Sequence, residues 1–220
     1  MLWPDVQCEI LDACRPLLES RGFKFVKSRS SFERSTATGR LMFQFRFSTT
    51  HQLNHWVQAG CGVRHDAIER IVHQSSAIDK AAKSSTTTIN KAWTRPLIVN
   101  TAEEQAAAIT QLQTYVQEVA LPFLEREYTL KDISALLNVT DPEGLPIWGV
   151  AFGIHHWQRG LAAAKLAGDP RFENLRRHYT AHVRAWNNGL YFPAFEGCLK
   201  FIDEHVGQPR ARSQPLWKIC

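Results

Sequence analysis

The sequence predicts an α+β fold: an N-terminal helix, a small antiparallel β-meander, then long helices with an all-helical C-terminal half. Three observations carry that expectation. Val6, Ile10, Leu11, Cys14, Leu17 and Leu18 recur at the spacing of one helical face. Leu41, Phe43, Phe45 and Phe47 point inward by period-two alternation, with Met42, Gln44, Arg46 and Ser48 outward. Beyond Asp141-Pro142-Glu143-Gly144, helix-length segments are parted by Gly168-Asp169-Pro170 and Asn187-Asn188-Gly189.

The first helix stops at Gly22, which follows Arg21 where a left-handed cap fits. Phe23 and Phe25 then share a strand face, Ser28-Arg29-Ser30 turns the chain, and Phe32 opens the next strand. A further strand is expected from Leu53 to Val63, with Leu53, Val57, Ala59, Cys61 and Val63 on one side. Asp66 caps a short helix that uses Ile68, Ile71 and Val72. Residues 75–92 have no period and read as a mobile loop leading to β residues at Trp93 and at 97–99. Thr101 and Glu104 form a capping box, opening a long helix through Ala108, Leu112, Tyr115 and Val119. Pro122 should kink or end it, because it cannot donate to the Glu118 carbonyl. Helices follow at about 146–167, 171–186 and 190–206, with a loosely held tail from Gly207. The chain divides as an α+β domain over 1–140 and a helical region over 141–220 packed against it.

Composition excludes several classes. In 220 residues, 44% hydrophobic and 10% aromatic content rules out disorder over most of the length. The five cysteines are scattered and contain no Cys-x-x-Cys, so neither a zinc ribbon nor a thioredoxin-type pair is present. The start, Met-Leu-Trp-Pro-Asp, lacks the basic flank of a secretory signal. The longest apolar stretch, 145–154, is about half a bilayer span. A cytoplasmic protein without a membrane segment is expected.

Charge is uneven. Residues 1–100 hold 14 Lys/Arg against 8 Asp/Glu, whereas 101–220 hold 12 against 13. Between Arg15 and Arg46, eight basic residues face only Glu19 and Glu33. Such a segment suits an acidic partner, whether nucleic acid or an acidic protein surface, or it is a solvated strand-and-turn surface.

No catalytic constellation stands out. Gly-x-Ser-x-Gly, phosphate-binding glycine loops and the metalloprotease helix are all missing. His178 and His182 share a helical face, but Tyr179 holds the place of the catalytic Glu, and Arg176, Arg177 and Arg184 would repel a dication. His156 suits a buried imidazole bonded to a carbonyl. Ala59-Gly60-Cys61-Gly62 places a thiol between glycines inside a strand, which signals a close backbone crossing. Neither a catalytic residue nor a metal or cofactor is expected.

The outward face of the meander is the candidate site. Alternation places Lys24, Gln44, Arg46, Trp56 and Gln58 on it, with Arg29 in the adjoining turn. An aromatic among Arg and Gln on a sheet face resembles a surface for protein or single-stranded nucleic acid. The competing expectation is that the C-terminal helices cover it, with Trp56 in the seam.

The run Leu-Glu-Ser-Arg-Gly-Phe-Lys-Phe, then Ser-Phe-Glu-Arg-Ser, Met-Phe-Gln-Phe-Arg-Phe and Leu121-Pro122-Phe123-Leu124 resembles the bacterial domain-of-unknown-function family 4304 over about residues 8–140. The resemblance implies an α+β fold and a gene neighbourhood of polymorphic toxins and secreted effectors, where small non-enzymatic proteins act as immunity factors. It supplies no catalytic residues. The sequence therefore points to a non-enzymatic binding protein that neutralises a toxin or effector. A nucleic-acid module using residues 15–46 is the alternative.

Overall fold

The structure, a computed structural model, describes residues 3–50, 54–75, 83, 86–91, 94–139 and 155–206. The chain forms two compact units, residues 1–69 with 79–128, and residues 70–78 with 129–220.

In the first unit, helix α1 (Trp3–Glu19) buries Val6, Ile10, Cys14 and Leu18, one residue per turn. Its end is a Schellman motif. Gly22 takes φ 78, its N–H donates to the Glu19 carbonyl, and the Phe23 N–H donates to Leu18. Phe23 and Leu18, the hydrophobic pair of that motif, are both buried.

Strands β1 (Lys24–Val26), β2 (Ser31–Thr36), β3 (Gly39–Thr49) and β4 (His55–His65) follow as an antiparallel meander. Between β1 and β2 lies a 3₁₀ turn, Lys27–Arg29, closed by Ser30 in the left-handed region. β5 (Ile89–Asn90) and β6 (Leu97–Ile98) both pair with the far edge of β4. The links around them complete that edge, since Thr88, Lys91, Thr94 and Val99 donate to Val63, Cys61, Ala59 and His55. One sheet face carries Phe32, Phe43, Phe45, Val57, Ala59 and Cys61, all buried. Helix α1 lies on it, with Trp3 edge-on to Phe47 and Arg15 over Phe25.

Helix α2 (Asp66–Ser75) follows β4 and buries Ile68, Glu69, Ile71 and Val72. Helix α3 (Ala102–Tyr115) opens on the expected Thr101–Glu104 capping box. Gln113 ties it to α1 by donating to the Ala13 carbonyl, and Tyr115 meets Phe43. Pro122 does not end the helix. A π-turn over Val116–Ala120, with Leu121 donating to Val116, leads directly into α4 (Leu121–Glu125). Widening the turn by one residue before Pro122 lets the chain pass the missing donor.

In the second unit, α5 (Leu130–Leu137) starts on a capping box between Thr129 and Asp132. α6 (His156–Ala167), α7 (Phe172–Ala185) and α8 (Phe192–His205) match the expected helices from residue 156 onward. Gly168 ends α6 with φ 63, and Asn187, Asn188 and Gly189 all take positive φ between α7 and α8. The predicted stretch 146–154, Leu53, Trp93 and the tail from Gly207 lie outside the described residues.

Met42 corrects the simple alternation. It lies on the face away from α1 yet is fully buried. Its neighbour across the ladder is Gly62, and a Cβ there would meet Thr87 Cγ2 at 2.5 Å. The 86–88 segment thus lies against this part of the face, and only a residue without a side chain admits it.

Candidate binding face

The face opposite α1 takes the even-numbered residues of β3 and β4. Register sets Arg46 directly opposite Gln58, Ser48 opposite Trp56, and Gln44 between Ser31 and Gly60. Facing residues on such a ladder lie about 5 Å apart and diagonal ones about 7–8 Å, so Arg46 is within side-chain reach of Gln44, Gln58 and Trp56. Arg46 is exposed, while Gln44, Trp56 and Gln58 are half-buried. Gln58 is fixed by donating from Nε2 to the Thr94 carbonyl at 2.8 Å.

Glu33 organises the other end. Its carboxylate accepts from Arg29 Nε and a second Arg29 nitrogen at 2.7 and 2.8 Å, from Ser31 Oγ at 2.8 Å and from Arg40 at 2.7 Å. Burial opposes its ionisation, but the bonds from Arg29, Ser31 and Arg40 outweigh that and hold the carboxyl below its usual range. Two guanidinium groups on one carboxylate leave this corner positive.

Where β2 gives way to the 3₁₀ turn, an open depression of about 610 Å³ is lined by Gln7, Arg29, Ser30, Gln44, Arg46 and Phe47. The structure thus brings Arg29, Gln44 and Arg46 together, with Trp56 and Gln58 adjoining. Lys24 is exposed but stands in the row of Glu33 and Met42, about 13 Å along the strands from Arg46.

The basic segment 15–46 does not form one stripe. Arg15 is bonded to Asp12 and Glu19 on α1, and Arg21 pairs with Glu125 at 3.5 Å. Arg34 bonds the Arg21 carbonyl and covers the Phe23 ring. Lys24, Arg40 and Arg46 belong to the opposite sheet face.

The other sequence candidates have structural settings. Burial pushes the Cys61 thiol up to about 11, so it holds little thiolate at neutral pH. His156 is buried, bonded to the Leu137 backbone, and pushed down to about 4 by burial and by the Arg159 charge. His182 packs its ring against Trp157 at 5.4 Å. Among the described residues, no group of three or more His, Cys, Asp or Glu is placed to hold a metal ion, and no helix is long and apolar enough to cross a membrane.

The Glu33 clamp escaped sequence reasoning. Arg29 reaches back to Glu33 only because a 3₁₀ turn and the left-handed Ser30 reverse the chain between them. The register that brings Arg40 across was available in principle from the two-residue turn between Thr36 and Gly39.

No protein family, curated protein or solved structure matches the chain.

Proposed function

We propose that the chain is a non-enzymatic binding protein of the immunity type, which holds an acidic surface of a bacterial toxin or secreted effector against the Arg46 face. The observation that supports it most is the charge of the meander. On that face strands β1–β4 carry Lys24, Arg40, Arg46 and Arg64 against one carboxylate, Glu33, which Arg29 and Arg40 engage, while Arg64 pairs with Asp66 at 2.8 Å. Positive charge there steers an acidic partner and raises its association rate. Trp56 supplies an aromatic anchor, and Gln44 and Gln58 supply amide hydrogen bonds, the composition of an interface core. The toxin or effector class comes from the likeness of residues 8–140, and the acidic character comes from the face.

The division of the basic residues between two sheet faces weighs against a nucleic-acid module, which needs them along one phosphate track. Co-expression with the toxin domain encoded beside its gene is the test. Growth should be rescued, and the two proteins should co-purify with the wild type but not with Arg46→Ala. Continued killing without co-purification rejects the reading. So does affinity for a single-stranded oligonucleotide that exceeds affinity for the toxin.

A further inference from the structure

We infer that the partner is held through an extended acidic segment that adds as a strand to the end of β3 that no described strand pairs on its β2 side. This rests on the acidic protein partner proposed above and specifies how it is gripped.

The backbone shows which groups are available. On β4, the odd residues His55, Ala59, Cys61 and Val63 accept hydrogen bonds on the edge away from β3. Their partners across the ladder, Thr49, Phe45, Phe43 and Leu41, must therefore turn their own N–H and C=O groups toward β2. Phe45 does so, donating to the Ser30 carbonyl at 3.0 Å. Past that bond β2 has no residue left, because the chain leaves through the left-handed Ser30 and the 3₁₀ turn. Strand β3 continues to Thr49, so Phe47 and Thr49 present their backbone groups along an edge that no described strand occupies.

This edge is held in strand form, since β4 pairs with β3 all the way to Thr49. An added strand lies about 4.8 Å from β3, in the plane of the sheet, and that is where the 610 Å³ depression lies. Its alternate side chains would face Arg29, Gln44 and Arg46 on one side, and Gln7 and Phe47 on the other. The segment that fits has carboxylates at every second position and apolar residues between, the mode in which main-chain bonds give affinity and alternate side chains give specificity. A second copy of the chain would set its own Arg29 and Arg46 against these, and like charges facing one another oppose pairing.

The test uses the full chain and a synthetic ten-residue peptide alternating Glu and Val, with a Lys–Val peptide as control. The Glu–Val peptide should bind and slow amide exchange at Phe47 and Thr49 by about tenfold or more, and the Lys–Val peptide should do neither. Arg46→Glu, at an exposed position, should weaken the Glu–Val peptide by about tenfold or more, and Thr49→Pro, which deletes one edge donor, should do the same. Glu–Val binding without protection at Phe47 and Thr49 overturns strand addition while leaving an acidic partner in place. Equal binding of the Lys–Val peptide overturns it, as does absence of peptide binding. Failure of the parent reading is seen separately, as a neighbouring toxin that the chain neither captures nor neutralises.

Discussion

The Tyr179 hydroxyl donates a 2.7 Å hydrogen bond to the Oδ1 of Asn138, a residue with no exposed surface. The other end of that amide donates to the Gly160 carbonyl at 2.9 Å and to Ser134 Oγ at 3.2 Å, which fixes which atom is oxygen. Ser134 donates onward to Asp169, and Arg171 grips the same carboxylate. One buried asparagine thereby joins α5, α6 and α7. Tyr179→Phe keeps the packing but leaves Oδ1 without its donor, a change that costs about 1–3 kcal/mol. The urea midpoint should fall with an unchanged slope. A midpoint equal to wild type would show that the bond contributes nothing.

Acid should loosen the second unit in two stages. His156 is held neutral by burial, its pKa moved from 6.5 to about 4, so the unfolded chain binds the extra proton between those values. Stability is full above about pH 6.5 and declines on acidification toward pH 4, by about 3 kcal/mol for this group. Asp169, lowered from 3.8 to about 2 chiefly by its bond from Arg171, contributes stability that is lost as pH falls from about 4 to 2. His156→Leu should flatten the upper arm of a stability-against-pH curve, and Asp169→Asn the lower one. If either substitution leaves its arm unchanged, that assignment is wrong.

Gly62→Ala tests the close crossing on β4. The new Cβ would lie 2.5 Å from Thr87 Cγ2 and 3.0 Å from the Ile89 carbonyl oxygen, so β5 must shift. Overpacking of this kind costs about 1–3 kcal/mol. Thr87→Ala, which removes the Cγ2 contact but leaves the Thr87 Cβ position at 2.8 Å, should restore part of the loss in the double variant, a coupling that thermal melts of the four proteins measure.

The sequence was legible where one signal decided the outcome. The 3.6-residue spacing of Val6, Ile10, Cys14 and Leu18 gave α1, Gly22 gave its end, and the Phe43-Phe45-Phe47 alternation gave β3 and its buried face. It failed where a distant segment intervened. Met42 reads as solvent-facing by alternation but is fully buried, across the ladder from Gly62, where the 86–88 segment approaches. The helix over Leu130–Leu137 is only two turns long, so its Thr129–Asp132 cap was a stronger signal than its period. For the candidate face, alternation placed Arg46, Gln44, Trp56 and Gln58 together correctly. It could not reveal that Glu33 engages Arg29 and Arg40, because that clamp depends on a turn and a hairpin register acting together.

Arg46 and Trp56 separate binding from stability. Arg46 is exposed, so Arg46→Ala should change stability by no more than about 0.5 kcal/mol. As an interface arginine its loss should cost about 2 kcal/mol of binding, roughly thirtyfold in Kd. Trp56 is half-buried, facing Ser48 on β3 and Ile98 on β6. A fully buried Trp costs about 3–5 kcal/mol on truncation, so Trp56→Ala should cost about half that in stability in addition to its effect on binding. Salt gives an independent reading. Association of the wild type with an acidic partner should slow as ionic strength rises, and Arg46→Ala should show a shallower dependence because one steering charge is gone. A thermal melt beside a salt-dependent binding titration reads all three quantities. Wild-type affinity and salt slope in Arg46→Ala would remove this face as the binding surface, whatever happens to the melt of Trp56→Ala.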